Sequence, residues 1–210
     1  MDDIKELRAL LLDFGGVLIL PHNSEARQRW LDRIGRENDE FETWLWQTQE
    51  ALAALRGDIS PAEFWVRIGA QVGLSEKESM AMASDYWAGD ELNQAAVALA
   101  RLARESNLRV GLLSNAYTDL RPILASYGLQ ELFHDLVVSA IVGIIKPNAA
   151  IYRLACSRLG VLPEEAVFVD DSRANIESAR QVGLHALQYV GQHTLHTAAQ
   201  LLGLPLHTEP

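Results

Sequence analysis

The chain has 210 residues, 49% hydrophobic and 22% charged, with one cysteine and a formal net charge of −10. That length suffices for one sizeable core, or a core with a small insert, and the composition is that of an ordinary globular protein. The negative balance argues against nucleic acid and anionic membrane surfaces as partners, and the lone Cys156 excludes an internal disulfide. An anionic small substrate stays open, because a local lysine or divalent cation sets the field within a site.

The chain opens on MDDIKELRAL, acidic and without a long apolar stretch. No signal peptide or membrane span is visible there, so a soluble cytoplasmic protein is expected. The first apolar run, 7–12, ends at Asp13, and Gly15 and Gly16 follow. A carboxylate in the middle of a buried strand would lack a partner. At the strand's C-terminal tip it faces the crevice where open α/β sheets bind ligands.

Residues 18–88 depart from a simple crossover. They read as all-helical and carry all five tryptophans, Trp30, Trp44, Trp46, Trp65 and Trp87. Ser60-Pro61-Ala62-Glu63 and Ser75-Glu76-Lys77-Glu78 have capping-box spacing, the first with proline at the first helical position. A stretch this long predicts an inserted helical subdomain, dividing the chain into a core of 1–17 and 89–210 and a helical cap of 18–88. The tryptophans are expected to be mostly the core of a small bundle, with one aromatic facing the cleft.

Short, continuous Leu/Val-rich runs at 109–113, 136–139, 166–169 and 185–190 read as further strands buried on both faces. Helical patterns at 118–127, 148–159 and 173–182 separate them, each closed by a glycine suited to a left-handed cap, Gly128, Gly160 and Gly183. Strand–helix alternation predicts an α/β fold with a doubly wound parallel sheet.

Ser114 and Asn115 follow VGLL, Lys146 lies in GIIKP, and Asp170-Asp171 follow AVFV. With Asp13, these supply a nucleophile, a hydroxyl, a lysine and an acidic pair, mostly at or just beyond strand ends: the equipment of metal-assisted phosphoryl transfer. Each has a plainer reading alone. Asp13 can cap a turn, Ser114-Asn115 can be a turn or N-cap, and Lys146 can be a solvated surface group. A helix cap explains one of Asp170 and Asp171 but not both, since adjacent carboxylates repel unless a cation is near. Pro147 holds Lys146 extended and so gives it a direction.

DFGGV at Asp13, LLSN at Ser114, IKPNAAIY at Lys146 and FVDDSRANIESARQVG at Asp170 occur in the order of the four motifs of the haloacid dehalogenase-like (HAD) superfamily. The chain resembles that family over essentially its whole length, with a small helical cap inserted after the first motif. It is most similar to the branch of glucose-1-phosphate phosphatases and epoxide hydrolase N-terminal phosphatase-like domains, which RGDISPAEFW also resembles. The resemblance implies a Rossmann-like core and Mg²⁺-dependent hydrolysis of small phosphate monoesters, sugar phosphates among them, through an aspartyl phosphate on Asp13. It implies that Ser114, Asn115 and Lys146 hold the phosphate. Asp13, the Gly15 backbone carbonyl, Asp170 and Asp171 would hold Mg²⁺, Asp171 directly and Asp170 directly or through water. Asn148 replaces the family's common Asp and can still cap its helix. Asn175 replaces a frequent acid and is expected either to orient a neighbour or to be a plain helix residue. The implied partner is a small phosphorylated metabolite, bound by a monomer or homodimer.

Gly15 is the main departure, because family phosphatases usually carry there a second Asp that protonates the leaving oxygen. Such a group is typically worth about 10²–10⁴ in rate. Three outcomes follow. The substrate has a good leaving group, such as an anomeric, acyl or aryl oxygen; another residue substitutes, with His22 a candidate; or the protein is a weak or inactive phospho-ligand binder. A haloacid dehalogenase also lacks that Asp, but it needs no metal and gains nothing from Asp170-Asp171. His193 and His196 are expected on the surface.

Overall fold

The computed structural model describes residues 6–22 and 24–205. Along the chain run β1 (Ala9–Leu12) and β2 (Ile19–Leu20), then α1 (Glu25–Ile34), α2 (Asn38–Gln47), α3 (Gln49–Arg56), α4 (Pro61–Gln71) and α5 (Glu76–Tyr86). Then come β3 (Glu91–Leu92), α6 (Gln94–Glu105), β4 (Arg109–Ser114), α7 (Leu120–Ser126), β5 (Asp135–Val138), α8 (Ser139–Val142) and α9 (Ala149–Leu159). The chain closes with β6 (Ala166–Asp170), α10 (Arg173–Val182), β7 (His185–Gln188) and α11 (Gln192–Leu201).

The main sheet has the order β5-β4-β1-β6-β7 and all its pairings are parallel. Its apolar runs are continuous because both faces are covered. Leu10, Leu12, Val110, Leu112, Val167 and Val169 pack against α6 and α11. Ala9, Leu11, Leu113 and Phe168 pack against α9 and α10. The strand order reverses at β1, which makes its C-terminal end the topological switch point. Element ends move by a residue or two from the sequence expectation: β1 begins at Ala9, β7 stops at Gln188, and α7 starts at Leu120.

Helices α1–α5 enclose a core of their own, built on Leu31, Phe41, Leu45, Phe64, Trp65, Ile68, Met82 and Tyr86. The tryptophans divide. Trp65 is buried, Trp30, Trp44 and Trp46 lie partly buried against that core, and Trp87 is 41% exposed. Ser75 forms the full reciprocal capping box with Glu78. The box expected at Ser60 is only half made: its hydroxyl accepts the Glu63 N–H, while the Glu63 carboxylate pairs instead with Arg67 one turn on.

A two-residue antiparallel ribbon joins these helices to the sheet, with Ile19 opposite Leu92 and Leu20 opposite Glu91. Asn93 fixes its root. The side-chain amide donates to Val17 O at 2.8 Å and to Tyr189 Oη at 2.9 Å. A second contact lies at the end of α3, where Gly57 (φ 81°) approaches α8 so closely that a Cβ would stand 2.1 Å from the Ala140 carbonyl oxygen. Among the described residues, no helix is long and apolar enough to cross a membrane.

Candidate active site

Three neighbouring strands deliver the site from their C-terminal ends. Asp13 follows β1, Ser114 ends β4, and Asp170 ends β6 with Asp171 just beyond. The Asp13 N–H donates to Val169 O at 2.9 Å, which ties the end of β1 to β6. Ser114 is buried at the tip of β4.

Lys146 arrives from the loop before α9, through a cis peptide to Pro147. Its ammonium is buried and lies 2.9 Å from Asp13 Oδ1 and 2.6 Å from Asp170 Oδ2, and it donates to Leu113 O at 3.0 Å. Burial opposes its charge, but the attraction of Asp13 and Asp170 outweighs burial and raises its pKa.

Asp170 is fully buried and both its oxygens are engaged. Oδ1 accepts the Ser172 N–H at 2.8 Å and the Asn175 amide at 2.9 Å; Oδ2 accepts Asn175 at 3.1 Å besides Lys146. Asn175 therefore orients Asp170, and its own backbone carbonyl accepts the Tyr152 hydroxyl at 3.0 Å. The Tyr152–Asn175 contact is invisible in sequence, although Tyr152 closes the third motif.

Asn115 bonds the backbone of Lys146. Its Oδ1 accepts the Lys146 N–H at 2.8 Å and its amide donates to the Lys146 carbonyl at 3.0 Å. This reciprocal clamp fixes the backbone that carries the lysine.

One oxygen each from Asp13, Asp170 and Asp171 lies within 4.8 Å of the others. Burial, opposed by Lys146 and reinforced by Asp170 and Asp171, pushes the Asp13 carboxyl up to about 7. Burial and Asp170 also raise Asp171. One lysine thus does not neutralise three carboxylates, and an oxygen-only donor set with surplus negative charge fits a hard cation such as Mg²⁺. The Asp171 carboxylate lies over Gly16 (φ 75°), where a Cβ would stand 2.4 Å from Asp171 Oδ2. A Cβ at Gly15 would meet nothing within 4 Å, so the position of the family's acid–base Asp is open space.

The structure does not bring His22 into this cluster; it is exposed, and its backbone meets Gly89 and Asp90. His193 and His196 are exposed on α11. Cys156 is buried and free.

A family model for haloacid dehalogenase-like hydrolases matches residues 7–183. A phosphoserine phosphatase of Thermus thermophilus is 38% identical over 87 residues, 40% of this chain and 35% of that protein. With two further relatives the match takes in 7% and 27% of their own length, so the chain spans a minor part of these proteins. A sesquiterpene phosphatase of Aspergillus oryzae is 25% identical over 198 residues, 94% of each chain. A solved HAD family enzyme of Bacteroides thetaiotaomicron, in complex with magnesium and inorganic phosphate, superposes with a TM-score of 0.69 at 25% identity, covering 87% of this chain and 93% of that one.

Proposed function

The chain belongs to the haloacid dehalogenase-like hydrolases, and on that premise we propose that it hydrolyses small phosphate monoesters with Mg²⁺, using Asp13 as the nucleophile. The observation that carries this reading is the set of three carboxylates around one buried lysine at the switch point of the sheet. Asp13 and Asp171 would ligate Mg²⁺ directly, with the Gly15 carbonyl. Asp170, its oxygens already bonded to Lys146, Ser172 and Asn175, would act through water. Bound there, Mg²⁺ would neutralise charge on the phosphate and hold it in line with Asp13.

The protein's own groups do the rest. Lys146 aims the Asp13 carboxylate and offsets charge on the phosphate; Ser114 donates to a phosphate oxygen; Asn115 holds Lys146 in place. An Asp13 oxygen attacks phosphorus as the bond to the leaving oxygen breaks, giving an aspartyl phosphate and an alkoxide that takes a proton from solvent. Water then attacks the phosphorus as the phosphorus–oxygen bond to Asp13 breaks; one water proton passes to the departing phosphate or to solvent, and the Asp13 carboxylate is regenerated. Helices α1–α5 form the cap that limits access of bulk water during the first step. Sugar phosphates are the expected substrates, since an anomeric oxygen leaves without a proton donor at Gly15.

The deciding experiment is phosphate release from p-nitrophenyl phosphate and a sugar phosphate panel, with Mg²⁺ and with EDTA. Mg²⁺-dependent turnover that falls by roughly 10⁴-fold or more in Asp13→Asn, with the circular dichroism spectrum unchanged, is the expected result. The open space at Gly15 favours a second reading, a phospho-ligand binder of little or no activity. Mg²⁺-dependent phosphate binding without turnover of any ester would put that reading first.

A further inference from the structure

Asn115 holds Lys146, and the loop that carries Asn115 is held in turn from outside the reaction centre. β4 and β5 pair as far as Ser114 opposite Val138. Beyond that point the half-buried Ala116 has no strand beside it, and its N–H and C=O need other partners. The short helix α8, which starts at Ser139 directly after β5, supplies them. The Ala116 N–H donates to Ser139 Oγ at 3.1 Å. The Ser139 hydroxyl donates back to the Ala116 carbonyl at 3.3 Å, and the Ala140 N–H donates to the same carbonyl at 3.3 Å.

Ser139 is fully buried. A hydroxyl taken out of water costs stability unless it is bonded, and both bonds of this one go to a single residue, the neighbour of Asn115. Asn115 bonds the N–H and the carbonyl of Lys146 at 2.8 and 3.0 Å, and the Lys146 ammonium joins Asp13 to Asp170. Ser139, Ala116, Asn115 and Lys146 thus form an unbroken path from α8 to Asp13. Each link is a peptide bond, a hydrogen bond or an ion pair.

The inserted helices bear on the same path. Gly57, the C-terminal cap of α3, has φ 81°, and a Cβ there would stand 2.1 Å from the Ala140 carbonyl oxygen. Ala140 is a residue whose N–H holds Ala116. Tyr117, next along the loop, rests its ring 5.5 Å from Phe64 of α4. The loop with Ser114 and Asn115 is therefore braced against α3 through α8 and against α4 through Tyr117.

We propose that Ser139 is a positioning residue for Lys146, acting through Ala116 and Asn115, and that α8 passes the seating of Gly57 to the same lysine. The role of Lys146 in catalysis rests on the phosphatase reading; the mechanical link does not. Misplacing a reacting group by about 1 Å can cost about 10²-fold in rate, so the support of the lysine matters as well as its charge.

The test has two arms, on wild type, Ser139→Ala, Gly57→Ala, Asn115→Ala and the double variant of Ser139→Ala with Asn115→Ala. The first follows single amides by NMR hydrogen exchange in the metal-free chain. Ser139→Ala should speed exchange at Ala116 and at Lys146 roughly three- to tenfold, with the amides of β6 unchanged as the control for an intact fold. Gly57→Ala should repeat the effect at Lys146. The second arm measures kcat for p-nitrophenyl phosphate with Mg²⁺. Ser139→Ala should lower it about tenfold, with the Mg²⁺ concentration for half-maximal activity within about twofold of wild type. In the Asn115→Ala background the same substitution should cost less than about twofold, because its route is already cut. Faster exchange at Ala116 with none at Lys146, or the full loss of kcat persisting without Asn115, overturns the link while turnover by wild type keeps the phosphatase. Absence of turnover in wild type overturns the phosphatase, and the exchange rates then decide the link alone.

Discussion

The polar cluster at the sheet edge and the polar groups packed with or near helices α1–α5 are built on opposite terms. At the edge, Lys146 bonds two carboxylates and a carbonyl, and each oxygen of Asp170 has a partner. Among the groups packed with or near helices α1–α5, Arg27, Asp90 and Tyr117 each keep a buried atom unpaired. A fully bonded network has one low-energy arrangement and holds its geometry whether or not a ligand is present. An incompletely bonded one changes energy with its occupant.

Substitutions at the two adjacent glycines probe the bonded cluster from either side. Gly15→Asp enters open space and should supply the missing proton donor. Hydrolysis of alkyl phosphates should rise by up to about 10²–10⁴, and that of aryl phosphates much less. Equal gains on both ester types would show that leaving-group protonation is not what Gly15 withholds. Gly16→Ala drives a methyl into the Asp171 carboxylate at a positive φ. It should raise the Mg²⁺ concentration for half-maximal activity by about 10–100-fold; an unchanged Mg²⁺ titration would remove Asp171 as a ligand.

The charge imbalance has a pH signature in metal-free protein. The Asp13 carboxyl is raised from 3.8 to about 7, so between those values the folded chain holds a proton that the unfolded chain has lost. Stability from this group is therefore greatest at low pH and declines as pH rises towards 7, and ionised Asp13 is the destabilising form. In EDTA, Tm should fall over that interval, Mg²⁺ should restore it above pH 7, and Asp13→Asn should flatten the profile. The smallest effect is expected far from either cluster. Ser75→Ala removes the α5 capping box and should cost about 1 kcal/mol, read as a lower Tm with kcat/KM for p-nitrophenyl phosphate unchanged.

The bonded cluster was largely legible in the sequence and the unbonded one was not. Asp13, Ser114 and Asp170-Asp171 each end or follow an apolar run, and parallel strands put such ends on one edge. Lys146 was directed there by its own short motif. The clamp of Asn115 on the Lys146 backbone was not legible, because it joins residues 31 positions apart, a pairing no local pattern encodes. Arg27 of α1 reaches Tyr86 of α5, and Tyr117 reaches Phe64 of α4, only through tertiary packing, and helical spacing says which face is apolar, not what it meets. The ribbon of β2 and β3 was missed for a simpler reason: strands two residues long show no period.

That ribbon has a mechanical consequence. Helices α1–α5 hang on two antiparallel tethers, clamped at the root by Asn93, and touch α8 at Gly57. Two tethers this short, paired to each other, hold the root of the helices as a pintle holds a door leaf. Gly57 against Ala140 is then the strike plate, and a side chain at that position would leave the door ajar.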